Sequence, residues 1–278
     1  MERTASLAFP TSGPYSVGPK LTIEERSRMK IVVCIKRVPD TATRIRIAPD
    51  GKSIDPSGVE YIVSPYDEIA VEKAIQIKEQ LGVGEIIVVS LGPAEASKEL
   101  RTCLAMGADR AILLKGGSFD LDPLSVAEAL ADAIRPIQPD LVLTGWKAAD
   151  DDHAQVGQAL AVLLDMPCLT FVAKLDVAGR TATVHREVEG AIEEVEATLP
   201  VVVTAQRGLA EPRYASLKGI MAAKKKTIEE KEIAARPSRL ELRKLAPPPA
   251  RPPGRIVGHG KDAVPALVDA LMNEAKVL

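Results

Sequence analysis

Glu85-Ile86-Ile87-Val88-Val89-Ser90-Leu91, closed by Gly92-Pro93, is an apolar run without a polar face. A half-exposed strand alternates; this one does not, so it reads as a strand covered on both sides. Its neighbours change period. Ala94–Met106 has helical spacing, and Ala111-Ile112-Leu113-Leu114 is again apolar throughout. The alternation continues outward in both directions. Upstream, Met29-Lys30-Ile31-Val32-Val33-Cys34-Ile35 is a buried-strand pattern. Downstream come a helix over Pro123–Ile134, with Leu124, Ala127, Leu130 and Ile134 on one face, a strand at Asp140–Thr144 and a helix over Gln155–Leu164. Strand–helix repeats of this kind predict a parallel sheet with helices on both faces and right-handed crossovers, an α/β fold.

The helix opened by Ser64-Pro65-Tyr66-Asp67 has a full start signal: Ser64 as N-cap, Pro65 in the first position and Asp67 where a capping carboxylate belongs. Ile69, Ala70, Ala74, Ile77 and Leu81 form its stripe, and Gly82 ends it. Before it, Arg44-Ile45-Arg46-Ile47 and the turn Pro49-Asp50-Gly51-Lys52 predict a hairpin. Past Leu169, Thr181–Glu189 and Glu193–Leu199 flank Gly190 as β segments, Val201–Thr204 is a buried strand, and Leu217–Ala235 reads as helix. Ala246–Pro253 is a polyproline arm, and Val264, Leu267, Val268, Leu271, Met272 and Ala275 make an amphipathic helix that folds back or docks on another chain. The expected organisation is an extension over 1–28, with Met29 as the native start, a nucleotide-binding domain over 29–235, and the arm with its helix over 236–278.

Composition narrows the function. The chain has 278 residues, 46% hydrophobic and 27% charged, enough for a large core and unlike a disordered chain. A net charge of −2 and 3% aromatics argue against nucleic acid as partner. No run is long enough for membrane insertion, and the first residues lack the apolar core of a secretory signal, so a cytoplasmic protein is expected. The three cysteines, Cys34, Cys103 and Cys168, show no metal or redox spacing and read as buried thiols. Scattered as they and the histidines are, no metal site is expected.

In an open α/β sheet, ligands gather at the carboxyl ends of the strands. Here those ends are Cys34-Ile35-Lys36, Leu91-Gly92-Pro93 and Thr144-Gly145-Trp146-Lys147. Ala148-Ala149-Asp150-Asp151-Asp152-His153-Ala154-Gln155 then leads into a helix whose first N–H groups suit a phosphate. The aspartates have three readings: helix caps, a magnesium site, or a loop that contacts a nucleotide. Trp146 reads as a packing residue. Neither GxGxxG after the first strand nor a P-loop is present, and no catalytic triad is visible. A nucleotide-type sheet without acid, base or nucleophile points to a carrier or binding subunit.

Several segments resemble the electron transfer flavoprotein β subunit. These are Val33–Asp40, Pro65–Ala74, Ala105–Arg110, Gly145–Gln155, Arg186–Gly190, Leu199–Thr204 and Glu211–Lys226, in that order, and the likeness spans about Met29 to Leu278. The resemblance implies an adenine nucleotide α-hydrolase-like sheet and a heterodimer with an α subunit that holds most of a redox-active FAD. It implies electrons taken from acyl-CoA or related flavin dehydrogenases, as in fatty acid oxidation, and passed to a quinone oxidoreductase. It implies AMP held by Cys34, by Ser64, Pro65, Tyr66 and Asp67, by Leu91, and by Thr144 through Gln155. It also implies a partner-recognition loop over 205–227, with Leu217 as the anchor and Tyr214, Ile220 and Met221 around it. Asp150, Asp151 and Asp152 together favour AMP, whereas Ala154-Gln155-Val156-Gly157 and the long C-terminal tail resemble the electron-bifurcating branch, which carries a second FAD. Two readings from other classes are a stand-alone adenine-nucleotide-binding protein of the universal-stress type and an adenylating enzyme of related fold, both lacking their phosphate loop here.

Overall fold

The computed structural model describes residues 29–116, 121–233, 238–251 and 253–278. The expected extension over 1–28 lies outside them. Among the described residues two units are distinguished: 29–46 with 54–243, and 47–53 with 244–278.

The first unit begins with β1 (Lys30–Ile35), β2 (Arg37–Pro39) and β3 (Tyr61–Val63), followed by α1 (Pro65–Leu81), β4 (Glu85–Gly92), α2 (Ser97–Met106) and β5 (Arg110–Lys115). It continues through α3 (Pro123–Ile134), β6 (Leu141–Gly145), α4 (Val156–Leu164), β7 (Cys168–Ala178), β8 (Thr181–Val188), β9 (Ala191–Thr198), β10 (Val201–Ala205), α5 (Leu217–Lys225) and β11 (Ile228–Glu232). Nine strands form one sheet in the order β11-β5-β4-β1-β6-β10-β7-β8-β9. The pairs from β11 to β7 are parallel, and β8 and β9 extend the sheet antiparallel. β2 and β3 pair separately.

The buried runs explain this layout. Ile31, Val33, Ile86, Val88, Leu141 and Val203 face one way and pack under α1 and α2; Val32, Ile87, Val89, Val142 and Val202 face the other way, against α3 and α4. Both faces of the central strands are dry, as their unbroken apolarity predicts. β1 lies between β4 and β6, so the chain winds outward through β4 and β5 and then returns to the other side of β1. Helices leave to opposite faces at that point, and in open α/β sheets the carboxyl ends of the two strands at such a switch, here β1 and β6, flank the crevice where ligands gather.

Two expected elements differ. The helix predicted over 217–235 stops at Lys225, and Ile228–Glu232 becomes an edge strand beside β5. Arg101 donates to the carbonyls of Ala223 and Lys226, which satisfies the end of the helix, and Lys115 pairs with Glu230 at 2.5 Å across the new edge. Pairing outweighs local helix propensity, and the charges on the edge discourage further strands. The hairpin predicted from 44–47 and the turn at Pro49–Lys52 forms only as a tight turn: Asp55 N–H donates to Arg46 O at 2.8 Å and Ala48 N–H to Ser53 O at 2.9 Å, but no extended strand pair grows from it. Arg44, Ile45 and Arg46 are exposed, and two short strands without a covered face hold poorly.

In the second unit, Ala48 N–H donates to Ser53 O at 2.9 Å and Leu245 N–H to Gly51 O at 2.8 Å. The C-terminal helix α6 (Val264–Asp269) passes into a π-turn over Ala270–Glu274, tied by Arg255–Glu274 at 2.5 Å. Val264, Leu267, Val268 and Met272 of its apolar stripe are exposed.

Candidate functional site

Asp67 is the third residue of α1, yet its carboxylate does not serve that helix. Lys36 N–H at the end of β1 and Gly145 N–H at the end of β6 each donate to it at 2.8 Å. One buried carboxylate therefore staples the two strand ends across the crevice. Burial drives its pKa up to about 7, against the pull of the Lys36 and Gly145 N–H groups. Ser64 stands at the N-cap but makes no side-chain cap bond, and its buried Oγ has no partner. The capping roles expected for Ser64 and Asp67 are thus corrected: Ser64 N–H donates to Lys36 O, so the segment is already held to β1 by its backbone.

Gly145 is required by contact. A Cβ there would stand 2.5 Å from Asp67 Oδ1 and 2.8 Å from Tyr66 Cβ. Gly157, in the first turn of α4, is equally confined, with a Cβ falling 2.6 Å from Thr204 Cγ2 and 2.8 Å from Thr144 Oγ1. Removing side chains at these two positions brings α1 and α4 directly onto the strand ends.

The aspartates cap nothing. The N-cap of α4 is Gln155, which makes no side-chain cap bond. Asp150 and Asp151 instead accept from Lys36 Nζ at 2.8 and 2.6 Å, Asp152 accepts from Lys147 Nζ at 2.7 Å, and Asp151 also receives His153 N–H at 3.1 Å. Asp150 and Asp151 lift the pKa of Lys36 above the ordinary ammonium value although burial opposes the charge. Asp152 and Ala154 hold φ of 53° and 51°, left-handed backbone that costs energy in residues with a Cβ. Among the described residues, no cluster of three or more His, Cys, Asp or Glu is arranged to hold a metal ion.

Trp146 packs edge-on against Tyr66 at 5.6 Å and Phe171 at 5.0 Å between ring centroids, and its buried Nε1 has no partner. Cys34 lies on the α3–α4 face; burial pushes its thiol well up, so it is wall rather than nucleophile. Leu91 packs partly buried on the same face. Ala148 and Ala149 are half-buried, while His153 and Gln155 are exposed on the loop. Ser64 through Asp67, Cys34, Leu91 and Thr144 through Gln155 all lie at the carboxyl side of the sheet or in the loops that leave it.

Residues 52–236 match the electron transfer flavoprotein domain family. The chain is 45% identical over 254 residues to the electron transfer flavoprotein subunit beta of Bradyrhizobium diazoefficiens, over 90% of this chain and all of that protein. It is 42% identical over 260 residues to the protein of the same description in Bacillus subtilis, with the same coverage. With the mitochondrial subunit beta of Oryza sativa subsp. japonica it shares 41% over 258 residues, again 90% of this chain and all of that one. The chain belongs to the electron transfer flavoprotein β subunit family.

In this family member a second feature stands apart from the crevice. Ser216 caps α5 by accepting Gly219 N–H at 3.0 Å. The cap holds out an apolar cluster, with Tyr214 100% and Leu217 84% exposed and Ile220 and Met221 beside them. These are the residues expected to form the partner-recognition loop, and they stand together at the surface. No helix among the described residues is long and apolar enough to cross a membrane. Sequence reasoning missed Phe171, whose φ of 60° at an irregular register between β7 and β10 turns its ring onto Trp146. It also missed Lys36 as the partner of the aspartates, and the ion pairs of Arg213. Only Lys36 left a trace, as a charge at the end of an apolar strand.

Proposed function

We propose that this chain is the β subunit of a two-chain electron transfer flavoprotein, with AMP in the crevice between β1 and β6 and a FAD shared with an α subunit. The observation that carries the reading is the Asp67 staple beside donors left without partners. Gln155 gives the start of α4 no side-chain cap, and the buried Ser64 Oγ and Trp146 Nε1 have no partner. A phosphate suits the helix start, and the polar edge of an adenosine suits Ser64 and Trp146, with Cys34 and Leu91 as apolar wall. AMP supplies no redox chemistry, and the flavin, when bound, accepts and releases the electrons. What this chain contributes is shape and charge. Asp67 and Gly145 fix the floor, Lys36 draws the aspartate loop inward, and Trp146 closes one side. The docking surface around Leu217 takes up acyl-CoA or related flavin dehydrogenases, and a quinone oxidoreductase receives the electrons. The three free cysteines suit a cytoplasmic setting.

The test is the nucleotide content of the heterodimer after co-expression with α and acid extraction. One FAD with one AMP is expected; two FAD would move the chain to the bifurcating reading that Ala154–Gly157 resembles. A colourless homodimer with nucleotide would favour the stress-protein reading. Neither adenylate nor flavin would overturn the proposal. Removal of residues 246–278 is expected to impair assembly with α, because the exposed stripe of α6 needs cover; full co-purification of the shortened chain would refute that role.

A further inference from the structure

The segment from Ala210 to Ser216, which carries Tyr214 and leads into α5, has no helix or strand of its own. One side chain ties it down. Arg213 Nε and Nη2 donate to the two oxygens of Glu72 at 2.8 and 2.9 Å, and Nη1 and Nη2 donate to those of Glu79 at 2.6 and 2.9 Å. Arg213 N–H adds a longer bond to Glu72 at 3.3 Å, and Gln76 Nε2 donates to Glu72 at 3.0 Å. Both carboxylates belong to α1, two turns apart on one face, and α1 is the helix that carries Asp67 into the crevice. Glu72 is only 2% exposed. An exposed ion pair would matter little, but a fork gripping a buried carboxylate fixes both distance and angle.

We infer that Arg213 is a positioning residue for dehydrogenase docking: by bridging Glu72 and Glu79 it holds Tyr214 and Leu217 at a set angle to α1. The inference rests on the docking role proposed above. Preorganised anchors bind better because less ordering remains to be done at contact. Arg213 itself need not touch the partner.

The experiment uses the complete heterodimer and a purified acyl-CoA dehydrogenase reduced by its own substrate. Arg213→Gln is expected to raise KM for the heterodimer roughly ten-fold, the scale of one misplaced anchor, with kcat little changed. Hydrogen exchange over 210–216 should quicken while flavin content stays as in the wild type. Arg213→Lys should rescue only in part, since an ammonium cannot grip both carboxylates as a fork. Because a lone Gln leaves the Glu72 charge buried without its cation, Glu72→Met with Arg213→Met supplies a version better able to fold. A folded double variant with unchanged KM and unchanged exchange would overturn the assignment. A wild-type heterodimer that takes no electrons from the dehydrogenase would instead overturn the docking reading beneath it.

Discussion

Asp122 and Asp67 each stand at the start of a helix that opens with proline, Pro123 in α3 and Pro65 in α1. Asp122 serves its own helix. It accepts Leu124 N–H at 2.9 Å, Ser125 N–H at 3.0 Å and Ser125 Oγ–H at 2.8 Å, and also holds Arg239 N–H at 2.6 Å. Burial works to raise its pKa, but the donors of Arg239, Ser125 and Leu124 prevail and hold it well below the ordinary carboxylate range. Asp67 takes two N–H donors from other elements, and burial prevails. A helix-start carboxylate that turns first to its own N–H groups stabilises that helix, whereas one that receives donors only from other elements ties strand ends together.

The largest break in this comparison is Asp67→Ala. It leaves the half-buried Lys36 and Gly145 N–H groups without acceptors, at roughly 1–3 kcal/mol each, partly offset because a buried carboxylate is also removed. A loss of about 2–4 kcal/mol is expected in urea unfolding, together with loss of bound nucleotide from the heterodimer. A loss under about 1 kcal/mol would show that the staple is not needed to hold the strand ends. Next comes Gly145→Ala, which presses a methyl onto Asp67 and Tyr66. Overpacking of this kind costs about 1–3 kcal/mol, and unfolding of the variant checks it. Asp122→Ala should cost about 1–2 kcal/mol, the worth of a cap.

What was legible in the sequence follows the same line. Apolar runs such as Ile86–Val89 fix a two-sided strand by composition alone, and the helical spacing of Leu124, Ala127, Leu130 and Ile134 marks a helix that runs over the expected Pro123–Ile134. The strand ends of the crevice were legible too, because topology places them. The partners of Asp67 were not, since they lie 31 and 78 residues away. Nor was β11, whose strand form depends on pairing with β5 rather than on its own residues. Local chemistry announces elements; contacts between distant elements decide which side chains meet at the candidate site.

A pH series sharpens the contrast, because the two carboxyls act in opposite windows. Between the unfolded aspartate value near 4 and about 7, the folded chain holds a proton on Asp67 that the unfolded chain has lost. Its contribution to stability is therefore full below about pH 4 and is lost as pH rises to about 7. For Asp122 the sign reverses: its contribution is present above about pH 4 and is lost as pH falls. Asp67→Asn should flatten the stability profile in the upper window, and Asp122→Asn below it. Unfolding free energies measured across pH would refute the contrast if both variants changed the same limb.

The smallest expected effect is the most discriminating. Ser64 occupies a cap position with a hydroxyl that makes no bond, so Ser64→Ala should leave stability within about 0.5 kcal/mol of the wild type or raise it slightly. A working cap in that place would instead cost about 1 kcal/mol. If the hydroxyl is kept for a ligand, the same variant should release more nucleotide from the heterodimer on dialysis, although the protein is no less stable. Stability and retention would then separate at Ser64, whereas at Asp122, whose bonds are all internal, only stability should respond. A Ser64→Ala protein that is destabilised yet holds its nucleotide as firmly as before would place Ser64 with Asp122, among the residues that serve the fold alone.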